Sequence, residues 1–485
     1  MAGRITIPFV GQQANARSAQ VNSQETLNFI TSIQASGAKA PAILESAPGL
    51  VEIGPAGDGA CRTPQFLQWR HPVDGTLDAY AAFGTSIVRI SINGIFVLGS
   101  IAAGTSRVRC ARGRAAIMFV DGVAGYTYDG TTFAQIADAD FPDAGSSPAA
   151  SPTHVVYLDG FFIVNDAFTD NFHLSNIEDP SSWNALEFEA AAVAPDNALA
   201  LANTESELWV FGDETCQAYY NSGNADFPFA IILSATQEVG IAAPQSVAES
   251  EAGIFFLGTT PEGGRFVYQI RGQSGQIITG DEQSNELSAI ADVSNAYGFI
   301  YSQAGKSFYV LQLGDNRPTL VYNIRAQAWE TRALLDGSAW RIAGHGLWNG
   351  MNIGGSRLAA RYYELSLSTF SDAGTDFVRR RRTSIHHSNG HAMDWWEVVI
   401  DVQSGVGNEI NPGSDPVIRL RYSDDGGLVW SAQLTEPLGK IGERLRRAVF
   451  RNLGQSRSRQ FEIEVSDPVE VTIIAAYARV EVLSD

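Results

Sequence analysis

The chain has 485 residues, of which 45% are hydrophobic and 18% are charged, and this composition excludes wholesale disorder. No apolar run reaches the length of a signal peptide or a membrane span, so we expect a protein that folds in a cytoplasm without membrane contact. The net charge of −20 disfavours any role in which a broad basic surface grips nucleic acid.

The first 50 residues are predicted to form an extended N-terminal arm. Leu27–Leu44 has some apolar spacing, but Gly37, Pro41 and Pro48-Gly49 interrupt any helix there. We therefore assign residues 1–50 to an arm that precedes the first regular domain.

Residues 51–374 have the pattern of a β-propeller. Short runs rich in Val, Ile, Phe and Tyr alternate with turns of Gly, Asp, Asn or Ser. Four such phrases begin at His154, Glu207, Gly253 and Lys306, and their spacing of roughly 45–55 residues is close to the period of a propeller blade. The pattern predicts an all-β protein with about six blades, and a β-sandwich arrangement of these strands is the alternative.

Residues 375–485 are predicted to form a separate C-terminal β-sandwich that serves as a docking domain. Segments such as WWEVVIDV and RQFEIEVSD alternate apolar and polar residues, as half-buried antiparallel strands do. This region carries 14 Lys and Arg against 16 Asp and Glu, whereas residues 1–374 carry 19 against 37. The acidity therefore belongs to the arm and the propeller.

One motif in the sandwich matches the S-x-D-x-G-x-x-W spacing of an Asp box. Its residues are Ser423, Asp425, Gly427 and Trp430. In this motif the Ser and Asp bond the backbone of a β-hairpin and the Trp packs beneath it, so the motif is a folding device. Sialidase-like propellers repeat the motif, but a single copy outside the propeller gives little support to a glycosidase.

No catalytic, cofactor or metal site is predicted. His386, His387 and His391, with Asp394 nearby, could be metal ligands, but Asn389-Gly390 between them indicates a surface hairpin. The three cysteines lack the spacing of metal ligands, and no Gly-x-Ser-x-Gly elbow or phosphate-binding loop is present. We therefore expect a protein that is not an enzyme and that needs no cofactor.

Two basic segments stand out in the C-terminal region. They are Arg379–Arg382 and Lys440–Arg459, the second with seven basic residues and one acidic residue. These side chains are either solvated or paired within the chain, or they form a contact surface for an acidic neighbour, and direct DNA binding is a third possibility. The candidate partner-binding residues are Arg379, Arg380, Arg381, Arg382, Arg446, Arg447, Arg451, Arg457 and Arg459.

Several phrases of the sequence resemble one protein family in order and spacing. They include LNFITSIQASGAKAPAILESAPGL, HVVYLDGFFIVND, HLSNIEDPSSWNALEFEAA, ELWVFGDETCQAYYNSGNADFPF and, near the end, IRLRYSDDGGLVWS with RRAVFRNLGQSRSRQFEIEVSDPVEV. In these the chain is similar to the packaged-DNA stabilization proteins of short-tailed bacteriophages, which are tail hub or nozzle proteins. Residues 52–150 match the family pattern least clearly.

The resemblance implies a structural protein of the virion tail that is assembled in the host cytoplasm. It implies a homo-oligomer, a hexameric ring below the portal and its adaptor, that closes the DNA exit channel and retains packaged DNA. A tail needle or plug and tailspikes or fibres would attach to it, and DNA would pass through the channel without specific binding. The alternative is a propeller-type glycosidase or a receptor-binding tail protein that acts on host surface polysaccharide.

Overall fold

A computed structural model describes residues 3–146, 149–190, 196–204, 206–224, 227–444 and 446–483. Within these ranges the chain forms β-strands almost throughout, and the one α-helix is Asp281–Ser288. None of the helices in the described part is long and apolar enough to cross a membrane. The strands form a propeller and a sandwich, as predicted.

The propeller has seven blades, one more than the sequence indicated, and each is an antiparallel sheet. Blade one contains Leu67–Arg70, Leu77–Phe83, Ser86–Ser91 and Gly94–Ser100. Blade two contains Arg109–Arg112, Ile117–Val120, Gly125–Tyr128 and Phe133–Gln135. Blade three contains Val155–Leu158, Phe161–Asn165, Asn171–Asn176 and Asp179–Ala190. Blade four contains Ala200–Asn203, Glu207–Phe211, Cys216–Asn221 and Phe229–Ile231. Blade five contains Gly240–Ile241, Ala248–Ser250, Gly253–Thr259, Arg265–Arg271 and Ser274–Ile277. Blade six contains Tyr297–Gln303, Lys306–Gln312, Thr319–Asn323 and Ala328–Arg332. Blade seven contains Ile342–Trp348, Met351–Ser356, Arg361–Ser366 and Gly49–Pro55.

Blade seven closes the propeller with a strand from the other end of the segment. Gly49–Pro55 pairs antiparallel with Arg361–Ser366, in a register that joins Gly49 to Ser366 and Pro55 to Arg361. The innermost strands of neighbouring blades contact one another around a complete ring. The blade count could not be read from the spacing of sequence phrases, because one blade is assembled from both ends of the propeller segment.

Short turns and packed aromatic side chains explain why these residues form blades. Asp159 and Gly160 both have positive φ, as do Asn349 and Gly350, and these are the two-residue turns that suit tight hairpins. Apolar clusters fill the spaces between adjacent blades, such as the one around Trp69 that joins blades one and two. Each blade therefore depends on its neighbours for its core.

The first 50 residues, predicted as an arm, are paired into the sandwich. The first sheet contains Gly3–Ile7, Phe29–Ile33, Ala42–Ser46, Met393–Val402, Ala448–Ser456 and Thr472–Val482. The second sheet contains Ala14–Asn15, Ser23–Leu27, Arg379–Arg382, His386–His387, Val417–Ser423, Leu434–Pro437 and Ser458–Val465. The sandwich thus combines both ends of the chain, with the propeller inserted between them.

Asn28 is the point where the N-terminal chain crosses from the second sheet to the first. Its φ of 54° breaks the extended backbone between two strands, a conformation that Asn tolerates better than most residues. Its side-chain amide donates to the carbonyl oxygens of Ala333 (3.0 Å) and Val378 (2.8 Å). Ala333 directly follows blade six, and Val378 directly precedes the sandwich strand Arg379–Arg382. The buried Asn28 amide therefore joins the N-terminal segment to both blade six and the C-terminal part of the sandwich.

A buried ion pair lies beside this crossing. Glu330 and Arg332, on the last strand of blade six, are 0% and 1% exposed. A Glu330 carboxylate oxygen accepts from the Thr31 amide, and Arg332 donates to the Phe29 carbonyl oxygen at 2.7 Å. The second sheet also continues from blade six through a parallel bridge between Leu27 and Thr331. The two domains are therefore joined by shared hydrogen bonds as well as by covalent connections.

We expect the C-terminal fragment 372–485 to be unfolded when it is expressed alone. Without residues 1–48 it lacks three strands of the first sheet and two of the second, so much of its apolar core would face water. Circular dichroism and amide NMR of the fragment, with and without a co-expressed 1–48 segment, test this. A cooperatively folded fragment on its own would contradict the shared sandwich.

Candidate functional site

Arg379–Arg382 form a strand whose side chains alternate between two environments. Arg381 is fully buried, and its guanidinium donates to the carbonyl oxygens of Phe9 (2.8 Å) and Gln12 (3.1 Å). It also donates to the side-chain oxygens of Gln24 (2.7 Å) and Thr26 (2.8 Å). Burial lowers the pKa of Arg381 to about 9, which leaves it charged at neutral pH. Arg381 holds the N-terminal segment and offers nothing to a partner.

Arg379 is buried in the same way. Its guanidinium donates to Ser46 Oγ at 3.2 Å and to the carbonyl oxygens of Asp467 and Val469. Burial lowers the pKa of Arg379 to about 10, and its guanidinium lies 5.2 Å from the centre of the Phe377 ring. The prediction of a partner contact is therefore wrong for both residues, because the strand period of two turns their side chains inward.

Arg380 and Arg382 face the opposite side of the strand and pair with carboxylates. Arg382 Nη2 is 2.8 Å from Glu462 Oε2, and Arg380 Nη2 is 3.1 Å from Glu464 Oε2. Glu462 is 1% exposed and also pairs with Arg421. These pairs match the alternative in which the arginines bond within the chain. Glu462 is thus a buried carboxylate whose charge is compensated by more than one guanidinium.

Arg459 is also used internally. Its Nε and Nη2 donate to the two carboxylate oxygens of Asp424 at 2.7 and 2.8 Å, and its guanidinium lies 4.0 Å from the centre of the Tyr422 ring. The residue is 1% exposed. A partner contact is therefore wrong for Arg459 as well.

The remaining candidates are exposed on the sandwich surface. Arg446 Nε lies 3.0 Å from Glu443 Oε2, Arg447 Nε 3.3 Å from Asp401 Oδ1, and Arg451 Nε 3.6 Å from Glu397 Oε2. Exposed pairs of this kind contribute little to stability because water and salt screen them. Arg457, also exposed, donates to the Gly390 carbonyl oxygen. Of the nine predicted arginines, these four are on the solvent-facing surface.

The Asp box has the hydrogen bonds of a hairpin device. Ser423 Oγ donates to Asp425 Oδ1 at 2.7 Å and accepts from the Gly427 amide at 2.8 Å. Asp425 Oδ1 also accepts from the Val429 amide at 3.0 Å, and this bond is the main reason that the pKa of Asp425 is lowered. The indole nitrogen of Trp430 donates to the Gly427 carbonyl oxygen at 3.0 Å. The polar side chains of the motif thus form hydrogen bonds within a single turn.

Trp430 has a second role that its sequence motif did not indicate. The guanidinium groups of Arg382 and Arg421 lie 5.0 and 5.1 Å from the centre of its ring. The indole is only half-buried, and cation–π contacts on such a surface are individually weak. Together they fix the Asp-box hairpin against the arginine strand.

The HHSNGH segment forms the predicted hairpin. Asn389 and Gly390 have φ values of 47° and 87°, and the His391 amide donates to the Ser388 carbonyl oxygen at 2.8 Å. Across the described residues, no three His, Cys, Asp or Glu side chains converge as metal ligands. His386 packs against the rings of Trp395 and Phe461, and this burial lowers its pKa to about 4.

The propeller axis contains a polar cavity that the sequence did not indicate. It measures about 290 Å³ and is lined by the inner strands of blades one to five. Its polar side chains include Arg109, Arg112, Glu249, His154 and Asn203. Only the closed ring of inner strands brings these residues together, because they lie on four different blades.

Arg109 and the segment Pro244–Ser246 lie across this axis. Arg109, on blade two, donates to Gln245 Oε1 (2.8 Å) and to the carbonyl oxygens of Gln245 (2.7 Å) and Val247 (3.0 Å). Ser246 in the same segment accepts from Tyr309 of blade six at 2.9 Å. Blade six is the neighbour of blade five, whereas blade two lies on the far side of the ring, so the contact between Arg109 and this segment spans the propeller axis.

The cavity holds one carboxylate. The Glu249 side chain opens onto the cavity but is ringed by protein, and this desolvation raises its pKa to about 7 against the lowering effects of the Asn203 amide and Arg109. Glycoside hydrolysis by the common route needs a pair of carboxylates on opposite sides of the scissile bond. The described lining supplies only Glu249, so the axis does not support the glycosidase alternative.

We predict that Arg381→Ala destabilises the protein by about 3–5 kcal/mol, because several buried carbonyl and hydroxyl oxygens lose their donor and a cavity remains. Arg447→Ala, the exposed control, should leave the free energy of unfolding within about 0.5 kcal/mol of wild type. Urea unfolding followed by circular dichroism measures both. Equal stability of Arg381→Ala and wild type would refute the internal role of this arginine.

His386 gives a prediction for pH. Its folded pKa of about 4 lies below the ordinary value of 6.5, so folding favours the neutral ring. The stabilisation is complete above pH 6.5 and is lost as pH falls from 6.5 towards 4, at up to about 1.4 kcal/mol per pH unit. His386→Phe should unfold with a weaker pH dependence over this range. Identical pH profiles for wild type and His386→Phe would contradict the assignment.

Comparison with known proteins agrees with this architecture. The family model described as bacteriophage P22 Gp10, beta-propeller, matches residues 5–366, and the model for the beta-sandwich of the same protein matches residues 379–481. No curated protein sequence matches the chain significantly.

Solved structures of low sequence identity also match the chain. The WD40 beta-propeller domain of Doa1 is 12% identical, with a TM-score of 0.39 over 65% of this chain and 97% of that one. The N-terminal domain of Nup159 is 9% identical, with a TM-score of 0.37 over 70% and 98%. An extracellular domain from B. thetaiotaomicron is 11% identical, with a TM-score of 0.33 over 73% and 51%. The resemblance seen in the sequence is confirmed by the two family matches, and the chain belongs to the bacteriophage P22 Gp10 family of structural phage proteins involved in stabilising packaged DNA.

Proposed function

We propose that several copies of this chain form a ring, a hexamer below the portal and its adaptor, that closes the DNA exit channel of a short-tailed phage. The observation that carries the proposal is the crossed axis of the propeller. A cavity of about 290 Å³ with Arg109 and Pro244–Ser246 across it cannot admit a duplex, whose major groove alone is roughly 12 Å wide. If the chain encloses DNA, the path must run between copies.

The charge distribution supports a channel that holds DNA without binding it. Residues 1–374 carry 37 acidic residues against 19 basic ones, and such a surface repels the phosphate backbone at long range. Retention would then depend on the geometry of the closed ring or on a plug, and DNA could leave without breaking specific contacts. The tail would be assembled in the host cytoplasm.

The two domains suggest a division of roles. The sandwich has the exposed arginines Arg446, Arg447, Arg451 and Arg457, and these are suited to contacts with neighbouring subunits or with the adaptor. The propeller loops would then be available to a needle or plug and to tailspikes or fibres. The propeller and the sandwich share hydrogen bonds at Asn28 and Arg332, so a load on one domain would reach the other.

We expect purified chain to restore DNA retention to filled heads that lack it. Such heads should lose their DNA to nuclease, and addition of the chain should protect the DNA and increase the sedimentation rate. The docking step should weaken as salt rises, because exposed charges are screened beyond about 10 Å at 0.1 M salt. Heads that hold their DNA equally well without the chain would contradict the proposal, as would polysaccharide cleavage that accounts for its effect on infection.

A further inference from the structure

The outer face of the first sheet carries a row of charged residues in register. Four strands lie side by side there, and Arg4 pairs with Arg479, Arg479 with Glu397, and Glu397 with Arg451. Residues paired in this way point to the same face of the sheet. Three arginines and one glutamate therefore follow one another across the sheet.

A second row forms the floor of a groove beside these arginines. Tyr477, Val399 and Val449 are paired in register, and Arg447 lies at the far side. The groove measures about 360 Å³ and contains four arginines and one carboxylate among its lining residues. We call it the arginine groove, with Arg4, Arg447, Arg451 and Arg479 as its charged walls.

Two arginines of the groove contact aromatic rings, and the other two make exposed ion pairs, Arg451 with Glu397 at 3.6 Å and Arg447 with Asp401 at 3.3 Å. The four arginines outnumber the one lining carboxylate, so the groove keeps a net positive charge. The Arg4 guanidinium lies 4.4 Å from the centre of the Tyr477 ring, and the Arg479 guanidinium lies 5.7 Å from that of Trp396. Arg447 and Arg451 remain 60% and 66% exposed. The ring contacts restrict two guanidinium groups while leaving their N–H edges accessible, which lowers the entropy lost on binding an anion.

The register of the row is unfavourable for the isolated chain. Arg4 and Arg479 are directly opposite each other on neighbouring strands, and like charges in such positions destabilise a sheet. Glu397 is the only carboxylate in the row; it lies opposite both Arg479 and Arg451, and its carboxylate is 3.6 Å from Arg451 Nε. An incoming carboxylate would relieve this repulsion, and arginine binds carboxylates through two parallel hydrogen bonds.

We infer that the arginine groove binds carboxylate side chains from a second copy of this chain, an inference that rests on the ring proposed above. Charge complementarity supports this occupant, because the rest of the chain is strongly acidic and exposes many Asp and Glu side chains. The shape of the groove disfavours a nucleic acid, since a recess of 360 Å³ accepts a few protruding side chains and not a convex duplex. The contact is heterologous, which is the kind that closes rings.

The test compares self-association of three purified proteins by sedimentation velocity over a range of protein and salt concentrations. They are wild type, the groove variant Arg451→Gln with Arg479→Gln, and a control with Arg271→Gln and Arg325→Gln. The control changes two exposed arginines of the propeller and gives the same change in net charge. Binding of a labelled DNA duplex to each protein is measured in parallel.

We expect the groove variant to associate at least about tenfold more weakly than wild type and the control. Its melting temperature should be unchanged or higher, because Arg4 no longer faces another arginine, and this separates loss of docking from loss of folding. Wild-type association should itself weaken as salt rises.

Three outcomes would overturn the inference. If the groove variant associates as wild type does, the groove is not the contact, and the ring is unaffected by that result. If wild type stays monomeric at every concentration while rings are present in particles, the occupant is not a second copy. If wild type binds the duplex and the groove variant does not, the groove is a nucleic-acid contact.

Discussion

The fold depends on the pairing of the N-terminal segment with the C-terminal strands. Arg381 binds five residues of that segment through its guanidinium, and Asn28 then turns the chain between the two sheets. After two strands of the first sheet, Phe29–Ile33 and Ala42–Ser46, the strand Gly49–Pro55 completes blade seven. One stretch of about 50 residues therefore closes both domains. Its loss would open the propeller ring and remove strands from both sheets of the sandwich.

Closure of the propeller has a consequence for the path of DNA. Seven inner strands make a complete ring, and Arg109 together with Pro244–Ser246 crosses its centre. We therefore propose that any contact of this chain with DNA is made by its outer surface. That surface is acidic over the first three quarters of the chain, and the basic residues that remain exposed are concentrated on the sandwich. The acidic propeller surface can then repel DNA, while the exposed arginines of the sandwich attract neighbouring subunits.

The sequence predicted the strands well and their partners less well. Period-two alternation and Asn-Gly or Asp-Gly turns identified the β-class, the sandwich region and the hairpin at Asn389-Gly390, because these signals are local. The seventh blade depends on pairing between Gly49–Pro55 and Arg361–Ser366, which lie about 300 residues apart, and no local signal reports that contact. The four consecutive arginines suggested a charged surface. Because side chains alternate along a strand, Arg379 and Arg381 point inward and donate to backbone carbonyl oxygens of segments that are distant in sequence. The burial of these two side chains could not be judged without the tertiary structure.

The same limit applies to the two sites that the sequence missed. Arg109 and Glu249 meet only because blades two and five face one axis, and Arg4 joins Arg479 only through the first sheet. In the proposed ring, DNA passes between copies of the chain. Imaging of the tail at a resolution that separates the blades tests this directly. We predict DNA density in a channel enclosed by several copies, with each propeller axis outside it. DNA density along the axis of a propeller would contradict the account.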